Sequence, residues 1–483
     1  MHGRVVLALV ACAAGSFEHL HILPDNDALT ELWFIGDLHG DVGCARQWVA
    51  RSGLVAFDAA GPRWTGRAGS ALVFLGDYVD KGVHSSDVLD LVRSLVEAFP
   101  DRVAAIMGNH DLFLYLDATL DGSDPRRPMR MPVQAYPYSF FHPEEYAESP
   151  FTTKRDDDGE VLDALLESLL FVYETRATRK VLVPTPSAPA PAGRGRVSLF
   201  DVAPRFRDDG ALAAKVAGRL DEWRVAYAAG LRDSGLVDFL RARPVVAIVG
   251  DALVVHGGLP PEYATDALPA LVAELRATPW ANLSTAAMRL AAEATQDRSF
   301  HREGGCAAAA AVLAATGAAR IVVGHTPGDD VRELCGGAVL AADSSLSRPF
   351  RANGNYYCAV AAHKPGGSCD TPEDRCEGSV ATLARASADD PWPRHAVRVA
   401  IDGGRTRAAD DDDAPADGPG RARGLATAAA VGGLASWWLG AGREKPRRRA
   451  SDDPSGDDPS DDGPVAEEPV APDAPPNDDD AAT

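Results

Sequence analysis

Positive charge is scarce in this 483-residue chain: 48 Lys and Arg stand against 70 Asp and Glu, a formal net charge of −22. Phosphate backbones repel such a surface, which excludes a nucleic-acid partner. The deficit is uneven. Ser451 to Thr483 holds twelve acidic residues and no Lys or Arg, so the rest of the chain is only mildly acidic. A strongly apolar run of membrane-spanning length is also missing. The nearest is 424–442, an uncharged stretch of nineteen residues, mostly Ala and Gly. Its length still fits a spanning helix. Trp437 and Trp438 suit an interface, and Arg443, Lys445 and Arg447 to Arg449 follow, which places the C-terminus in the cytoplasm. The rival reading is an Ala-rich soluble helix or tail. Cysteines number only seven, and a single glycosylation sequon, Asn282-Leu283-Ser284, is present. No Ser- and Arg-rich, acid-poor stretch follows the N-terminus, which argues against a plastid transit peptide.

The N-terminus itself has Arg4, an apolar run Val5–Ala14 and small residues Cys12-Ala13-Ala14. That pattern predicts a signal peptide over 1–16, with a buried first element as the alternative. Together with 424–442 it predicts a type I single-pass protein of the secretory or endomembrane route. The six cysteines beyond Cys12 are even in number, which permits disulfides. Cys369 and Cys376 share a Gly/Asp-rich loop and make the first candidate pair, against six unlinked thiols. A catalytic domain is expected over 28–402, interrupted by an insertion at 117–243. A polar linker follows at 403–423, and beyond the candidate span a basic, then acidic tail (443–483) too polar to form a core.

Five short apolar runs each end in a cluster of metal-type ligands. They are Trp33 to Gly40 (with Asp37 and His39), Val73 to Gly82 (Asp77, Asp80, Lys81), Ala105 to Asp111 (Asn109, His110), Val254 to Gly258 (His256) and Val322 to Thr326 (His325). Strands at Trp33–Ile35, Ala71–Leu75 and Val103–Met107 alternate with helical patterns at Ala45–Ser52 and Ser86–Ala98. This spacing predicts parallel strands, with function gathered at their carboxyl ends. A hairpin (Val245–Val249, Ala252–Val255), a helix at Cys306–Thr316 and strands at Arg320–Val323, Ala338–Ala342, Tyr356–Ala362 and Ala396–Ile401 form a second block. Two such blocks imply a two-sheet α/β sandwich. The insertion, with helices at Val161–Thr175 and Leu212–Leu231 and a Pro/Ala/Gly loop at Pro184–Gly195, reads as a mostly helical cap or as decoration.

Asp37 and His39 sit two apart after a strand and can face one ion together. Asp77 can bridge two ions, and Asn109, His256 and His325 offer further ligands. Asp, Asn and His suit divalent Mn, Fe or Zn. Paired ions about 3.5–4 Å apart are a recurrent device for phosphate ester hydrolysis, because they acidify a water held between them. His110 can supply the leaving group with a proton, with Asp80 orienting the imidazole. Lys81 and Arg302 can neutralise phosphate oxygens, and Asn109 is also a candidate substrate contact.

The ordered motifs Gly-Asp-x-His-Gly, Gly-Asp-x-Val-Asp-Lys-Gly, Gly-Asn-His-Asp and His-Gly-Gly resemble those of the calcineurin-like metallophosphoesterases, and among them the phosphoprotein phosphatases. The resemblance covers about Glu31 to Ala362. It implies a four-layer sandwich of two mixed β-sheets flanked by helices. It also implies Asp37, His39 and Asp77 on one metal, Asp77, Asn109, His256 and His325 on the other, and His110 as proton donor with Asp80 behind it. Lys81 and Asp111 depart from the Arg and Glu of the eukaryotic Ser/Thr phosphatases, and the gap before His256 is longer. The insertion, Trp64-Thr65-Gly66 and Phe300-His301-Arg302 are more similar to the Shewanella-like phosphatases. Lys81 and Gly-Asn-His-Asp are also similar to the diadenosine-tetraphosphatase-like branch. Three functions follow as expectations: a phosphatase for phosphoproteins or small phosphoesters, a dinucleotide polyphosphate hydrolase, and a membrane-anchored pseudophosphatase.

Overall fold

A computed structural model describes residues 17–119, 143–179, 200, 203–353, 376–407 and 409–410. Twelve of its strands form two six-stranded sheets. The first contains β1 (Glu31–Ile35), β4 (Ser70–Phe74), β5 (Val103–Ala105), β11 (Ser379–Ala384), β12 (Val397–Ala400) and β13 (Arg405–Arg407), in the order β13-β12-β11-β1-β4-β5. Its β1, β4 and β5 run parallel, and β11 adds antiparallel to β1. The second contains β6 (Val246–Val249), β7 (Ala252–Val255), β8 (Arg320–Val323), β9 (Arg332–Leu334), β10 (Val339–Ala341) and β14 (Ala409–Asp410), in the order β14-β9-β10-β8-β7-β6. There β7, β8 and β10 are parallel, and the expected hairpin β6–β7 closes one edge.

Period-two alternation sorts the side chains into layers. Leu32, Phe34, Ala71, Val73, Ala104, Ala247, Val249, Val254, Val322 and Leu340 share one buried cluster between the sheets. Trp33, Ile35, Leu72, Phe74, Val103, Leu253, Ile321 and Val339 join the other, larger cluster with the helices Val42–Arg51, Ser85–Ala98 and Gly305–Thr316. Strands buried on both faces read as continuous apolar runs, which is why these segments are legible without alternation. The result is the four-layer metallophosphoesterase sandwich.

The insertion is mostly helical, as expected, with helices at Pro143–Glu148, Asp158–Arg179, Pro204–Asp208, Gly210–Asp233 and Leu236–Arg241. Its helix Gly210–Asp233 is tied to the helix Asn109–Thr119: Arg224 pairs with Asp117 in a buried contact at 3.5 Å, and the exposed Arg232 donates to the Ala118 carbonyl at 2.6 Å. Among the elements that escaped the sequence reading are the hairpin of β2 (Val55–Asp58) and β3 (Gly61–Trp64), strands β9 and β11, and the helices Leu268–Ala277 and Thr285–Gln296.

The expected cysteine pairing is corrected. Cys376 is bonded to Cys44, 332 residues away, and Cys306 to Cys335. The reason is topological. β11 lies antiparallel beside β1, with Ala381 opposite Phe34, so its start meets the end of β1, from which the Cys44 helix departs. Cys358 and Cys369, the strand expected at 356–362, the loop at 184–195, the signal region 1–16 and the candidate span 424–442 lie outside the described residues. Among the described residues, no helix is long and apolar enough to cross a membrane.

Candidate metal centre

The parallel strands of each sheet deliver their following loops to a common rim. Asp37 and His39 follow β1, Asp77 follows β4, and Asn109 and His110 open the helix after β5. His256 follows β7 and His325 follows β8. Backbone bonds tie these loops together. Leu38 and His39 donate to the Asp77 carbonyl at 3.0 and 2.9 Å, and Gly324 donates to the His256 carbonyl at 2.8 Å. All six expected ligands are buried. Among the described residues, five of the seven non-glycine residues with left-handed φ are His39, Asp77, Asp80, Lys81 and His325. Each such residue costs about 1 kcal/mol or more, and such strain concentrates where function over-determines the backbone. Glycine is required beside them. A Cβ on Gly324 would lie 2.6 Å from the Asp37 carboxylate, and one on Gly108 would collide with that of Asp77.

Asp77 is the centre. Its Oδ2 lies 3.2 Å from His256 Nε2, 3.8 Å from His39 Nε2 and 3.9 Å from His110 Nε2. His39 Nε2 is also 3.9 Å from Asp37. Two groups result, His39–Asp77–His110 and Asp77–His256–His325, each with ligand atoms within 4.8 Å of one another. The imidazoles are oriented from behind. His39 Nδ1 is 3.0 Å from the Val79 carbonyl, and His256 Nδ1 is 2.6 Å from that of Leu75. A carbonyl can only accept, so each Nδ1 carries a proton, and in the neutral imidazole Nε2 is the nitrogen that presents a lone pair to the site.

The site fits divalent cations on these grounds. With Nδ1 turned to the Leu75 carbonyl, His256 Nε2 faces Asn109 Oδ1 at 3.1 Å and Asp77 Oδ2 at 3.2 Å, so this corner calls for positive charge, supplied by a proton on Nε2 or by a bound cation; the Asp77 carboxylate accordingly raises the imidazole's pKa against burial. His325 Nε2 is buried with no hydrogen-bond partner among the described residues. Burial, then Asp343 and Asp77, push the Asp37 carboxyl well above its ordinary range. Burial opposes ionisation of Asp77 too, yet His256 and His110 hold it well below. Burial drives His39 down to about 4. The imidazole is therefore neutral at physiological pH, as a metal ligand must be.

The expected proton-donor pair is assembled: His110 Nδ1 lies 2.7 Å from Asp80 Oδ2. Lys81 is buried beside it, with Nζ 3.8 Å from the same carboxylate. Arg302 is not brought in. It is exposed, whereas Arg298, four residues earlier, is largely buried. Burial lowers the Arg298 guanidinium from its ordinary value, against the pull of Asp343, Asp37 and Asp77. The helix Thr285–Gln296 ends at Asp297, and Arg298 stands between it and the short turn Ser299–His301, beyond which Arg302 is exposed. Asp111, which follows His110, has a structural part. Its carboxylate is fully buried and accepts the N–H groups of Asp77 at 2.8 Å, Tyr78 at 2.9 Å and Gly108 at 2.8 Å. It braces the loop that carries Asp77.

Asp343 was missed. It is buried at the end of β10, hydrogen-bonded to Asp37. The available signal was its position: β10 is parallel to β8, so Asp343 is a sixth acid- or imidazole-bearing strand end. Phe350 was missed as well, its ring 5.1 Å from that of His39. Its segment is pinned by the fork of Arg348 on Asp41, at 2.8 and 2.9 Å.

Residues 30–175 match the calcineurin-like phosphoesterase family. Serine/threonine-protein phosphatase sitA of Aspergillus fumigatus is 51% identical over 39 residues, 8% of this chain and 10% of the relative. Serine/threonine-protein phosphatase rdgC of Drosophila melanogaster is 31% identical over 113 residues, 23% of this chain and 15% of the relative. The chain thus spans only a small part of the curated relatives it matches. Among solved structures, the cold-active protein-tyrosine phosphatase of a psychrophilic Shewanella shows 18% identity and a TM-score of 0.42, over 81% of this chain and 84% of that one. That likeness is too loose to assign an activity. Ordered motifs and the family match agree: residues 30–175 belong to a calcineurin-like phosphoesterase domain.

Proposed function

We propose that this chain is a metal-dependent phosphatase of the phosphoprotein phosphatase type, hydrolysing phosphomonoesters on proteins. The observation that carries the reading is the convergence of acceptor atoms on Asp77, with His256 Nε2 at 3.2 Å and three further imidazoles around it. Asp37, His39 and Asp77 would hold one divalent ion, and Asp77, Asn109, His256 and His325 a second, of the Mn, Fe or Zn class. Bound there, they supply Lewis-acid polarisation of the phosphoryl oxygens and a water of lowered pKa. Arg298 and Lys81 neutralise phosphate oxygens from the protein side. His110 gives the leaving oxygen its proton, while Asp80 holds Nδ1 so that Nε2 faces the site. The protein substrate class is supported by the relatives, which are themselves protein phosphatases by name. The polyphosphate reading loses one of its two supports, because Asp111 is turned onto backbone N–H groups.

The test is a side-by-side assay of the purified, Mn²⁺-loaded protein on p-nitrophenyl phosphate, phosphopeptides and diadenosine tetraphosphate. Phosphopeptide hydrolysis that chelation abolishes and Mn²⁺ restores is the expected result. Inactivity with every divalent ion would end the reading, and preferential cleavage of the dinucleotide would move it to the polyphosphate class.

The two arginines separate cleanly. Arg298→Ala should lower kcat/KM by about a hundredfold, the scale of losing one preorganised donor to developing charge. Arg302→Ala, at an exposed position, should stay within about twofold of wild type. Steady-state kinetics on one phosphopeptide checks both, and the reverse ranking would return the phosphate contact to Arg302.

A further inference from the structure

We propose that Glu145, carried by the helical insertion, is a positioning residue for the Asp80–His110 pair. The proposal rests on the reading of His110 as proton donor. Glu145 lies on the helix Pro143–Glu148 and is 2% exposed. Its carboxylate accepts the backbone N–H of Ser85 at 2.7 Å and of Ser86 at 3.1 Å, and the Tyr227 hydroxyl donates to it at 2.7 Å. Ser85 and Ser86 open the helix Ser85–Ala98, whose own N-cap residue, His84, makes no side-chain cap bond. The first turn of a helix leaves N–H groups without intrahelical partners. Here an acid some sixty positions away in sequence caps them, and its charge also complements the helix N-terminus.

The same serine reaches the reaction centre. Ser85 Oγ accepts the N–H of Asp80 at 3.0 Å, and the Ser85 side chain is also bonded to Glu145. Asp80 then meets His110 Nδ1 at 2.7 Å. A continuous buried path therefore runs from Tyr227 through Glu145 and Ser85 to Asp80 and His110. Asp80 and Lys81 have left-handed φ of 72° and 68°. Such a conformation persists only where neighbours hold it, and the bond from Asp80 N–H to Ser85 is one of those holds. A buried carboxylate is an expensive cap, since burial raises its pKa and a hydroxyl or amide could serve the same N–H groups. Glu145 accepts from two backbone N–H groups, Ser85 and Tyr227 at once, which fixes Ser85 in direction as well as place. Proton transfer is sensitive to displacements of about 1 Å, so a loosened Ser85 is felt at His110. This gives the insertion a role in the reaction beyond shielding.

The test is a leaving-group series on the full, Mn²⁺-loaded chain, from 2,4-dinitrophenyl phosphate, which needs little protonation, to phenyl and alkyl phosphates, which need it most. Glu145→Ala should lose about ten- to a hundredfold in kcat on the poor leaving groups. It should lose under about threefold on the dinitrophenyl ester, with metal content unchanged. Ser85→Ala removes only the bridging hydroxyl, leaves the helix cap in place and should reproduce the same selective loss, which guards against a Glu145 variant that fails to fold. Equal loss across the series with metal retained, or no loss at all, would overturn the proposal. His110→Ala in the same series separates the two levels. If it shows the selective loss and the Glu145 and Ser85 variants do not, the positioning role falls alone. If His110→Ala shows none, the donor assignment falls and takes the positioning role with it.

Discussion

Asp77→Ala should reduce phosphatase turnover by about a thousandfold or more, the largest single-residue effect expected in the chain. Asp77 is the one side chain common to both ligand groups, and its Oδ2 faces three imidazole nitrogens at 3.2 to 3.9 Å. Losing it removes charge from both positions at once and leaves His256 and His39 presenting lone pairs into an uncompensated pocket. Metal-based charge stabilisation is worth several kcal/mol, and about 4 kcal/mol is about a thousandfold. The companion measurement is metal content by elemental analysis, expected to fall from two ions per chain toward none. Near-wild-type turnover with full metal content would remove Asp77 from the bridging position.

His110→Ala is expected to be the second largest loss. A positioned general acid contributes about 10² to 10⁴ in rate, and poor leaving groups sit at the upper end. His110 is the least buried of the site imidazoles, which leaves its ring able to reach a substrate oxygen. Its backbone N–H also donates to Asp77 Oδ1 at 2.9 Å, a contact that alanine preserves. The variant should therefore keep both metals while losing turnover on alkyl phosphates by about a thousandfold. Kinetics paired with metal analysis separates this outcome from Asp77→Ala, and loss of metal in the His110 variant would make it a ligand instead of a donor.

The strand ends were legible because two-faced burial leaves apolar runs that stop abruptly at polar clusters. Asp37, His39, Asp77, Asn109, His110, His256 and His325 all lie where that rule put them. The same rule, applied to the run ending at Ala341, would have found Asp343. Arg298 could not be found this way. It follows a helix, and its inward direction is set by where that helix ends, information that periodicity does not hold. The role of Asp111 was not legible, because residue type alone does not say whether an acid faces a cavity or the N–H groups of a neighbouring loop. The Cys44–Cys376 bond depends on β11 adding beside β1, a pairing between segments more than three hundred residues apart that no local pattern encodes.

The ligands are divided between the two sheets: Asp37, His39, Asp77 and Asn109 hang from one, His256 and His325 from the other. The interior between them is filled largely by Ala, Val and Leu, which lets the rims approach closely. An ion held by Asp77 and His256 together would therefore work as a clasp between two halves of the fold. Its binding energy would also be docking energy. In such a design the reaction centre and the fit of one sheet against the other form a single cooperative unit, so damage to the packing is registered first as weakened affinity for metal.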